Sequence, residues 1–369
     1  MDFLTFLIYL VVGVYFLWSL RLVGYFTSTK SSAFWSEPNS YPSQLTVIVP
    51  FKNESAALPS LLPGLQKALK PIKQFEVLFI DDHSTDDGVN LIRTFDNESF
   101  QVIKSSGCGK KAAVETGIEK AIYDFIFTTD ADCELPANCF RGLPTDGKDA
   151  VMICGAVIVK NSAGFLSAFQ HVESLILAFL TAAFIKGKRP LTCAGANLFY
   201  GKSLFKEVNP YADNRSINSG DDHYFLQKVK AHSSGDILMN PNHSPVVTQP
   251  QTSLKALFSQ KARWAGKLKY KGSATAGFTG LFLATVQLAF MASVISGVLT
   301  GDILLLTLAG CKVLTDIFIF IVPKHYYKSK VSYFYALAVS LLYPLYFGVV
   351  SFWAFLPGRS GQKINNALM

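Results

Sequence analysis

Ile126-Phe127-Thr128-Thr129-Asp130-Ala131-Asp132 reads as a buried strand that ends on two carboxylates two residues apart. An apolar β-run delivers Asp130 and Asp132 to the carboxyl edge of a sheet, where open α/β folds place their ligands. Two acids held this close repel each other unless a cation lies between them. Mg²⁺ or Mn²⁺ carrying a diphosphate is the common solution, because both ions take oxygen ligands. Asp-x-Asp arises by chance in many chains, so its meaning depends on what surrounds it.

From about residue 44 to 270 short apolar strands alternate with amphipathic helices. Strands are expected over 45–50, 75–80, 100–104, 125–129 and 150–159, and helices over 56–69, 88–95 and 110–122. That alternation predicts a parallel, doubly wound sheet. About 225 residues suit one α/β domain. Neither an internal repeat nor a low-complexity segment is present.

In such a sheet the other strand ends share an edge with Asp130 and Asp132. The first strand runs out in Val49-Pro50-Phe51-Lys52-Asn53-Glu54, the second in Ile80-Asp81-Asp82-His83-Ser84-Thr85-Asp86. Asp81 and Asp82 together point to a binding role, while Ser84 and Asp86 are equally well read as helix caps. Gly107-Cys108-Gly109-Lys110-Lys111 precedes a helix, and its amides and cations suit a phosphate. Further on, Ser219-Gly220-Asp221-Asp222-His223 enters a helix. There an acid either caps the dipole or serves as the base that takes a proton from an incoming hydroxyl. Gln260-Lys261-Ala262-Arg263-Trp264 lies in a basic amphipathic helix. Gln260 and Arg263 share one face. A guanidinium binds diphosphate at two points, and the indole offers an apolar platform or an interfacial anchor.

Half of the 369 residues are hydrophobic, and they are unevenly spread. Residues 3–20 are apolar enough to span a bilayer. Without a basic start or a small-x-small cleavage site they read as a retained anchor rather than a signal peptide. Further spans are expected over 274–299, 303–322 and 333–355. The middle one carries Lys312 and Asp316, four apart, which either pair or face a bundle interior. The expected division is an anchor (1–24), a Ser-rich linker (25–43), a catalytic domain (44–272) and a membrane bundle (273–369). Arg21 and Lys30 follow the first span. Lys255, Lys261, Arg263, Lys267, Lys269 and Lys271 precede the second, and Lys324, Lys328 and Lys330 separate the third from the fourth. The positive-inside rule puts all three groups, and the middle domain, in the cytoplasm. Arg359 and Lys363 would then lie outside, which fits less well.

The net charge of +8 gathers beside the spans, so anionic lipid and phosphate explain it and nucleic acid does not. The six cysteines have no zinc spacing and are expected as reduced thiols.

Taken in order, Val-Pro-Phe-Lys-Asn-Glu with Asp81-Asp82, Asp130-Ala131-Asp132, Asp221-Asp222 and Gln260-x-x-Arg263-Trp264 resemble a membrane-bound family 2 glycosyltransferase. Cellulose, chitin and hyaluronan synthases and ceramide glucosyltransferase are similar. The resemblance spans about residues 45 to 270. It implies a GT-A fold: a Rossmann-like mixed, mostly parallel sheet, here with transmembrane helices at both ends. It further implies that Asp81 or Asp82 holds the uracil of a UDP-sugar beside Pro50 and Glu54, with Lys110 or Lys111 near the diphosphate. Asp130 and Asp132 would bind Mg²⁺ or Mn²⁺, Asp132 most directly. Asp222 would be the catalytic base, with Asp221 next to it. Gln260, Arg263 and Trp264 would close over diphosphate and acceptor. Cys193, Gly195 and Asn197 match a small-residue segment lining the acceptor site. Residues 165–185 would form an interfacial helix, with His171 structural.

The implied reaction is inversion onto a membrane-associated, lipid-linked acceptor, in a bacterial inner membrane. A processive polysaccharide synthase is the alternative, although three C-terminal spans are few for a polymer channel. A membrane-bound nucleotidyltransferase would leave the Gln-x-x-Arg-Trp helix without a task. A non-catalytic scaffold conflicts with the complete acid set, since buried carboxylates without a task are costly.

Overall fold

The computed structural model describes residues 3–28, 39–95, 97–145, 152–215, 217, 220–232, 237–240, 244–266 and 274–355. Most of the expected linker lies outside these residues. So do Lys30, Ser219, Lys267, Lys269, Lys271, Arg359, Lys363 and the first two positions of the strand expected over 150–159.

The strands are β1 (Gln44–Phe51), β2 (Gln74–Asp81), β3 (Phe100–Lys104), β4 (Phe125–Thr128), β5 (Cys133–Glu134), β6 (Met152–Cys154), β7 (Val157–Val159), β8 (Leu198–Gly201), β9 (Ile237–Met239) and β10 (Val246–Thr248). The helices are α1 (Phe3–Thr27), α2 (Leu58–Leu69), α3 (Gly88–Thr94), α4 (Lys110–Lys120), α5 (Phe165–Lys186), α6 (Lys202–Val208), α7 (Asp221–His232), α8 (Leu254–Gly266), α9 (Ala274–Thr300), α10 (Ile303–Tyr326) and α11 (Tyr333–Phe355).

The chain divides into two compact units. One holds the sheets. Its main sheet runs β3-β2-β1-β4-β8-β6-β9, and β5-β10-β7 form a second. β1 is apolar through Leu45-Thr46-Val47-Ile48-Val49 and buried on both faces, as a central strand of a parallel sheet must be. In register, Phe51 faces Asp81 and Ile48 faces Thr128. Strands β1 and β2 therefore end level, β4 ends three residues earlier along β1, and their carboxyl-terminal loops share one edge. Beneath that edge the core gathers Val47, Leu61, Leu65, Phe79, Phe127 and Phe199. Phe127 and Phe199 are cross-strand partners whose rings stack at 4.4 Å, an arrangement that adds to simple burial.

The sheet is mixed, as the resemblance implies and unlike the wholly parallel one that strand–helix alternation alone predicts, because β8 runs antiparallel between β4 and β6. One expectation is corrected. The strand expected over 150–159 is two strands, β6 in the main sheet and β7 in the second. The chain changes sheet at Gly155, whose amide donates to the Asn197 carbonyl at 2.7 Å. A Cβ at Gly155 would lie 2.1 Å from Asn197 Cγ, so only glycine fits.

The other unit contains α1, α5 and α8–α11. Helices α5 and α8, expected as interfacial parts of the middle domain, thus pack with the apolar helices. Among the described residues, five helices are long and apolar enough to cross a membrane: Thr5–Thr27, Phe165–Lys186, Thr275–Thr300, Ile303–Tyr326 and Tyr333–Trp353. Phe165–Lys186 differs from the rest in being 78% buried within the protein, against 22–39% for the other four. Those four offer side chains such as Leu17, Phe278, Leu314 and Phe352 to the surroundings. Asp302 caps α10 by accepting from the Leu304 amide at 2.9 Å. Inside the bundle Lys312 and Asp316 do pair, at 2.7 Å. Tyr15 of α1 donates to Asp316 at 2.8 Å and Ser340 of α11 at 2.5 Å, while the Lys312 ammonium faces the Phe290 ring. Both charges of this pair are therefore compensated.

Candidate active site

The loops after β1 and β2 are tied to each other before they hold anything else. Asn53 and His83 take left-handed backbone conformations, φ 57° and 61°, which turn both loops sharply. Asn53 Oδ1 accepts from the Thr85 amide at 2.8 Å, and the Asn53 amide donates to Ser84 Oγ at 3.1 Å. Asp86 accepts from the amides of Ser55 at 2.8 Å and Gly88 at 3.1 Å. These bonds, the one from Ser55 foremost, hold its carboxyl below the usual range. Ser84 and Asp86 thus brace the loops.

Asp81 accepts from the Ser84 amide at 2.8 Å. Asp82 is buried. Its Oδ1 accepts from the Gly109 amide at 2.7 Å, and Lys52 Nζ lies 3.7 Å from its Oδ2. Asp82 thereby joins the second strand end to the glycine loop that starts α4. The two lysines of that loop part company. Lys110 Nζ sits 2.6 Å from Asp130 and 3.2 Å from Asp221. Lys111 is buried, bonded to Asn214 through both its backbone and side-chain oxygens, with its ammonium 4.4 Å from the Tyr224 ring. Burial alone would lower Lys110, but Asp130 and Asp221 outweigh it and keep the ammonium firmly charged.

One cleft collects these groups. Pro50, Thr129, Asp130, Gly195, Asp221 and Asp222 line it together with Lys110. Asp221 and Asp222 enter it from the first turn of α7, where the helix dipole favours their negative charge. Asp222 accepts from its neighbour His223's amide at 2.7 Å and from the Gly195 amide at 3.4 Å. A Cβ at Gly195 would come 3.0 Å from Asp221 Oδ2 and 3.5 Å from Lys110 Nζ, so the glycine keeps the cleft open between acid and cation. The Thr129 hydroxyl is buried with no partner among the described residues. Asp132 is exposed on the turn after β4, and Thr248 Oγ1 donates to it at 3.4 Å.

Glu54 is pushed up to about 7 by burial first, then by the charges of Asp132 and Asp130. The charges of the Asp-x-Asp pair thus reach Glu54, and Asp130 and Asp132 offer oxygen donors at the sheet edge. Mg²⁺ and Mn²⁺ fit such a set.

Cys193 and Asn197 are tied inward. Cys193 Sγ donates to the Asp222 carbonyl at 3.4 Å, and its thiol is held well up by Cys154 beside it and by burial. Asn197 Nδ2 donates to the Ala156 carbonyl at 2.9 Å. Gln260, Arg263 and Trp264 lie on α8, in the unit of apolar helices. Arg263 and Trp264 are exposed there. Two contributors carry no role in the sequence reading: Lys52 and Thr129; the Gly109 amide, expected with its loop at a phosphate, donates to Asp82 instead. Lys52 and Thr129 stand inside quoted motifs, and only their neighbours' geometry marks them out.

Residues 46–208 match the family described as Glycosyl transferase family 2. An undecaprenyl-phosphate 4-deoxy-4-formamido-L-arabinose transferase of Pseudomonas fluorescens is 32% identical over 102 residues, which is 26% of this chain and 30% of that protein. A probable glycosyltransferase of Bacillus subtilis is 20% identical over 260 residues, 67% of this chain and 60% of that protein. The chain thus spans between about a third and three fifths of these curated relatives. Among solved structures, a mannosyltransferase of Pyrobaculum calidifontis, in complex with GDP-mannose and Mn²⁺, superimposes with a TM-score of 0.57. It is 17% identical and covers 93% of this chain and 99% of that one, a likeness of fold.

Proposed function

From a chain whose residues 46–208 belong to glycosyl transferase family 2, we propose an inverting enzyme that moves a sugar from a nucleoside-diphosphate sugar, a UDP-sugar, to a lipid-linked acceptor. The observation that carries this reading is the single cleft in which Lys110, Asp130, Asp221, Asp222 and the Gly195 amide meet. The nucleotide-binding edge of the sheet and a helix-borne acid pair face the same space there.

In this reading Asp82, braced by Gly109 and Lys52, receives the base. Asp130 and Asp132 would hold Mg²⁺ or Mn²⁺, which when bound balances diphosphate charge. Asp222 takes the proton of the acceptor hydroxyl at a carboxylate oxygen. The hydroxyl oxygen bonds to the anomeric carbon as the bond from that carbon to phosphate oxygen breaks. Lys110 stands on the leaving side as a fixed positive charge, an electrostatic contribution that needs no reorganisation. Gly195 leaves room for the sugar between them.

The relatives' names include a transferase acting on undecaprenyl phosphate, which supports the lipid acceptor. Lys324 in the last turn of α10, with Lys328 and Lys330 between α10 and α11, supports a cytoplasmic catalytic unit.

The test is to incubate membranes containing the chain with a panel of nucleotide sugars and Mg²⁺ or Mn²⁺. Release of nucleoside diphosphate and transfer of radiolabel into the lipid extract are expected. Pyrophosphate release would indicate a nucleotidyltransferase instead, and label in insoluble polymer a processive synthase.

A further inference from the structure

We propose that Asp82, His83 and Cys108 form a site for a soft divalent cation, Zn²⁺, at the nucleotide-binding edge of the sheet; its effect on the nucleotide rests on the reading above that Asp82 receives the base. A carboxylate oxygen, an imidazole nitrogen and the thiol sulfur of these residues lie within 4.8 Å of one another. All three residues belong to the unit that holds the sheets. Asp82 and His83 come from the loop after β2, and Cys108 from the glycine loop before α4. Asp82 is buried, while His83 and Cys108 are exposed. Two loops bring the ligands together, so no cysteine spacing announces the site.

Both loops are fixed by the fold itself. The Asp82 amide donates to the Phe51 carbonyl at 2.9 Å, which pins its backbone to the end of β1. His83 takes the left-handed conformation, φ 61°, and its Nδ1 lies 3.5 Å from Asp82 Oδ1. Tetrahedral ligands at about 2.0–2.3 Å from zinc lie roughly 3.3–3.7 Å from one another, so this pair already has the separation that zinc needs. The Gly109 amide, one residue beyond Cys108, donates to the same Oδ1 at 2.7 Å. Asp82 thus sets where the thiol loop lies, and the bond is of the kind that orients a ligating carboxylate. Ser105 Oγ donates to the Gly107 carbonyl at 2.8 Å and braces that loop from its other side. The exposed thiol has one rotatable bond with which to close the remaining distance.

The donor set decides the ion. Sulfur and imidazole nitrogen favour Zn²⁺ over Mg²⁺ and Mn²⁺, whose place is among oxygens. The site is therefore chemically unlike the one at Asp130 and Asp132. Three protein ligands leave a fourth position open for water. On binding, the Cys108 thiol gives its proton to solvent and the sulfur coordinates as thiolate. Lys52 opposes the ion, because its Nζ lies 3.7 Å from Asp82 Oδ2. That side chain is 53% exposed, so water screens much of the repulsion. With zinc on Oδ1, Asp82 no longer offers that oxygen to a base. Zinc and nucleotide then exclude each other, and the site is an inhibitory one.

The test uses the full chain purified in detergent and stripped of metal, with Co²⁺ as a coloured substitute for zinc. Co²⁺ should give a thiolate-to-metal charge-transfer band that Zn²⁺ abolishes. Cys108→Ser should remove the band. His83→Asn, which tolerates the left-handed backbone, should weaken metal binding at least about tenfold, and Lys52→Met should tighten it. Absence of the band, or a band that survives in a folded Cys108→Ser, overturns the site. Should Cys108→Ser fail to fold, an unchanged affinity in His83→Asn overturns it equally. UDP binding in saturating Mn²⁺ is measured in parallel. Zn²⁺ at about ten times its own dissociation constant should weaken UDP binding about tenfold in the unmodified chain and leave it unmoved in Cys108→Ser, which separates this site from zinc held elsewhere or by UDP itself. If zinc binds through Cys108 and UDP binding does not change, the exclusion and the reading of Asp82 fall while the metal site stands. If UDP does not bind the chain at all, that reading falls, and the cobalt band still decides the site.

Discussion

The ammonium of Lys110 lies 2.6 Å from a carboxylate oxygen of Asp130, and the same nitrogen reaches Asp221 at 3.2 Å. One cation thus links the end of β4 to the start of α7, two elements that the sheet order alone would not bring into register. Lys110→Met should lower turnover by about 10²-fold, as removal of a preorganised charged group does. Lys111→Met should instead show first in thermal stability, because Lys111 anchors the Asn214 loop. Parallel turnover and melting measurements on the two variants separate these outcomes.

Asp222→Asn keeps the shape of the acid and removes its ability to accept a proton. Turnover is expected to fall by about 10²–10⁴-fold, with nucleotide binding little changed. A kcat close to that of the unmodified chain would remove Asp222 from the mechanism.

Glu54, on the loop after β1, gives the sheet-bearing unit a pH dependence. Its carboxyl, raised from its ordinary value to about 7 by burial and by Asp132 and Asp130, holds its proton more tightly folded than unfolded. Its stabilising contribution is complete below the unfolded value near 4.5 and is lost as pH rises through about 7. Glu54→Gln should therefore flatten the change in melting temperature between pH 5 and 8 and raise the melting temperature at pH 8. Mn²⁺ should narrow the difference between the two proteins, since charge on Asp130 and Asp132 contributes to the shift.

The two glycines at the β6–β8 junction should respond differently. Gly155→Ala puts a carbon 2.1 Å from Asn197 Cγ and should destabilise the catalytic unit by several kcal/mol, or about 1–3 at least as overpacking does. Gly195→Ala meets Asp221 Oδ2 at 3.0 Å and should cost activity well before it costs folding. Denaturation and turnover of the two variants decide this.

In the apolar bundle, Asp316→Asn leaves Lys312 buried without a counter-charge. Losing one partner of a buried pair costs about 3–5 kcal/mol, so the detergent-purified variant should melt well below the unmodified protein. Replacing Lys312 and Asp316 together with apolar residues should recover much of that loss.

The acid-bearing ends of β1, β2 and β4 were legible because parallel strands carry their chemistry at one edge, and each end is written locally as apolar run followed by acids. β8 was not legible. Leu198-Phe199-Tyr200-Gly201 is four residues long, and nothing in it says that it enters the sheet antiparallel between β4 and β6. The division of 150–159 had one local signal, Gly155, which also breaks a strand without changing sheets. Lys110 and Lys111 are adjacent on a helix, about 100° apart. Which of them faces the acids depends on how α4 lies on the sheet, a tertiary fact. Lys312 and Asp316 were recognisable as a pair by spacing, but their partners Tyr15 and Ser340 come from helices that only the packing brings near.

The hydroxyl of Tyr15 and the carboxylate of Asp316 are separated by 301 positions in the chain. Translation therefore releases α1 into the bilayer long before its polar partner exists. Until α10 arrives, the first helix lacks the carboxylate that its phenol meets in the folded unit, and the unit closes late in synthesis. Such long-range closure is slow compared with local folding. Biogenesis rather than chemistry is the stage at which substitutions along α1 should be felt, as loss of protein from the membrane.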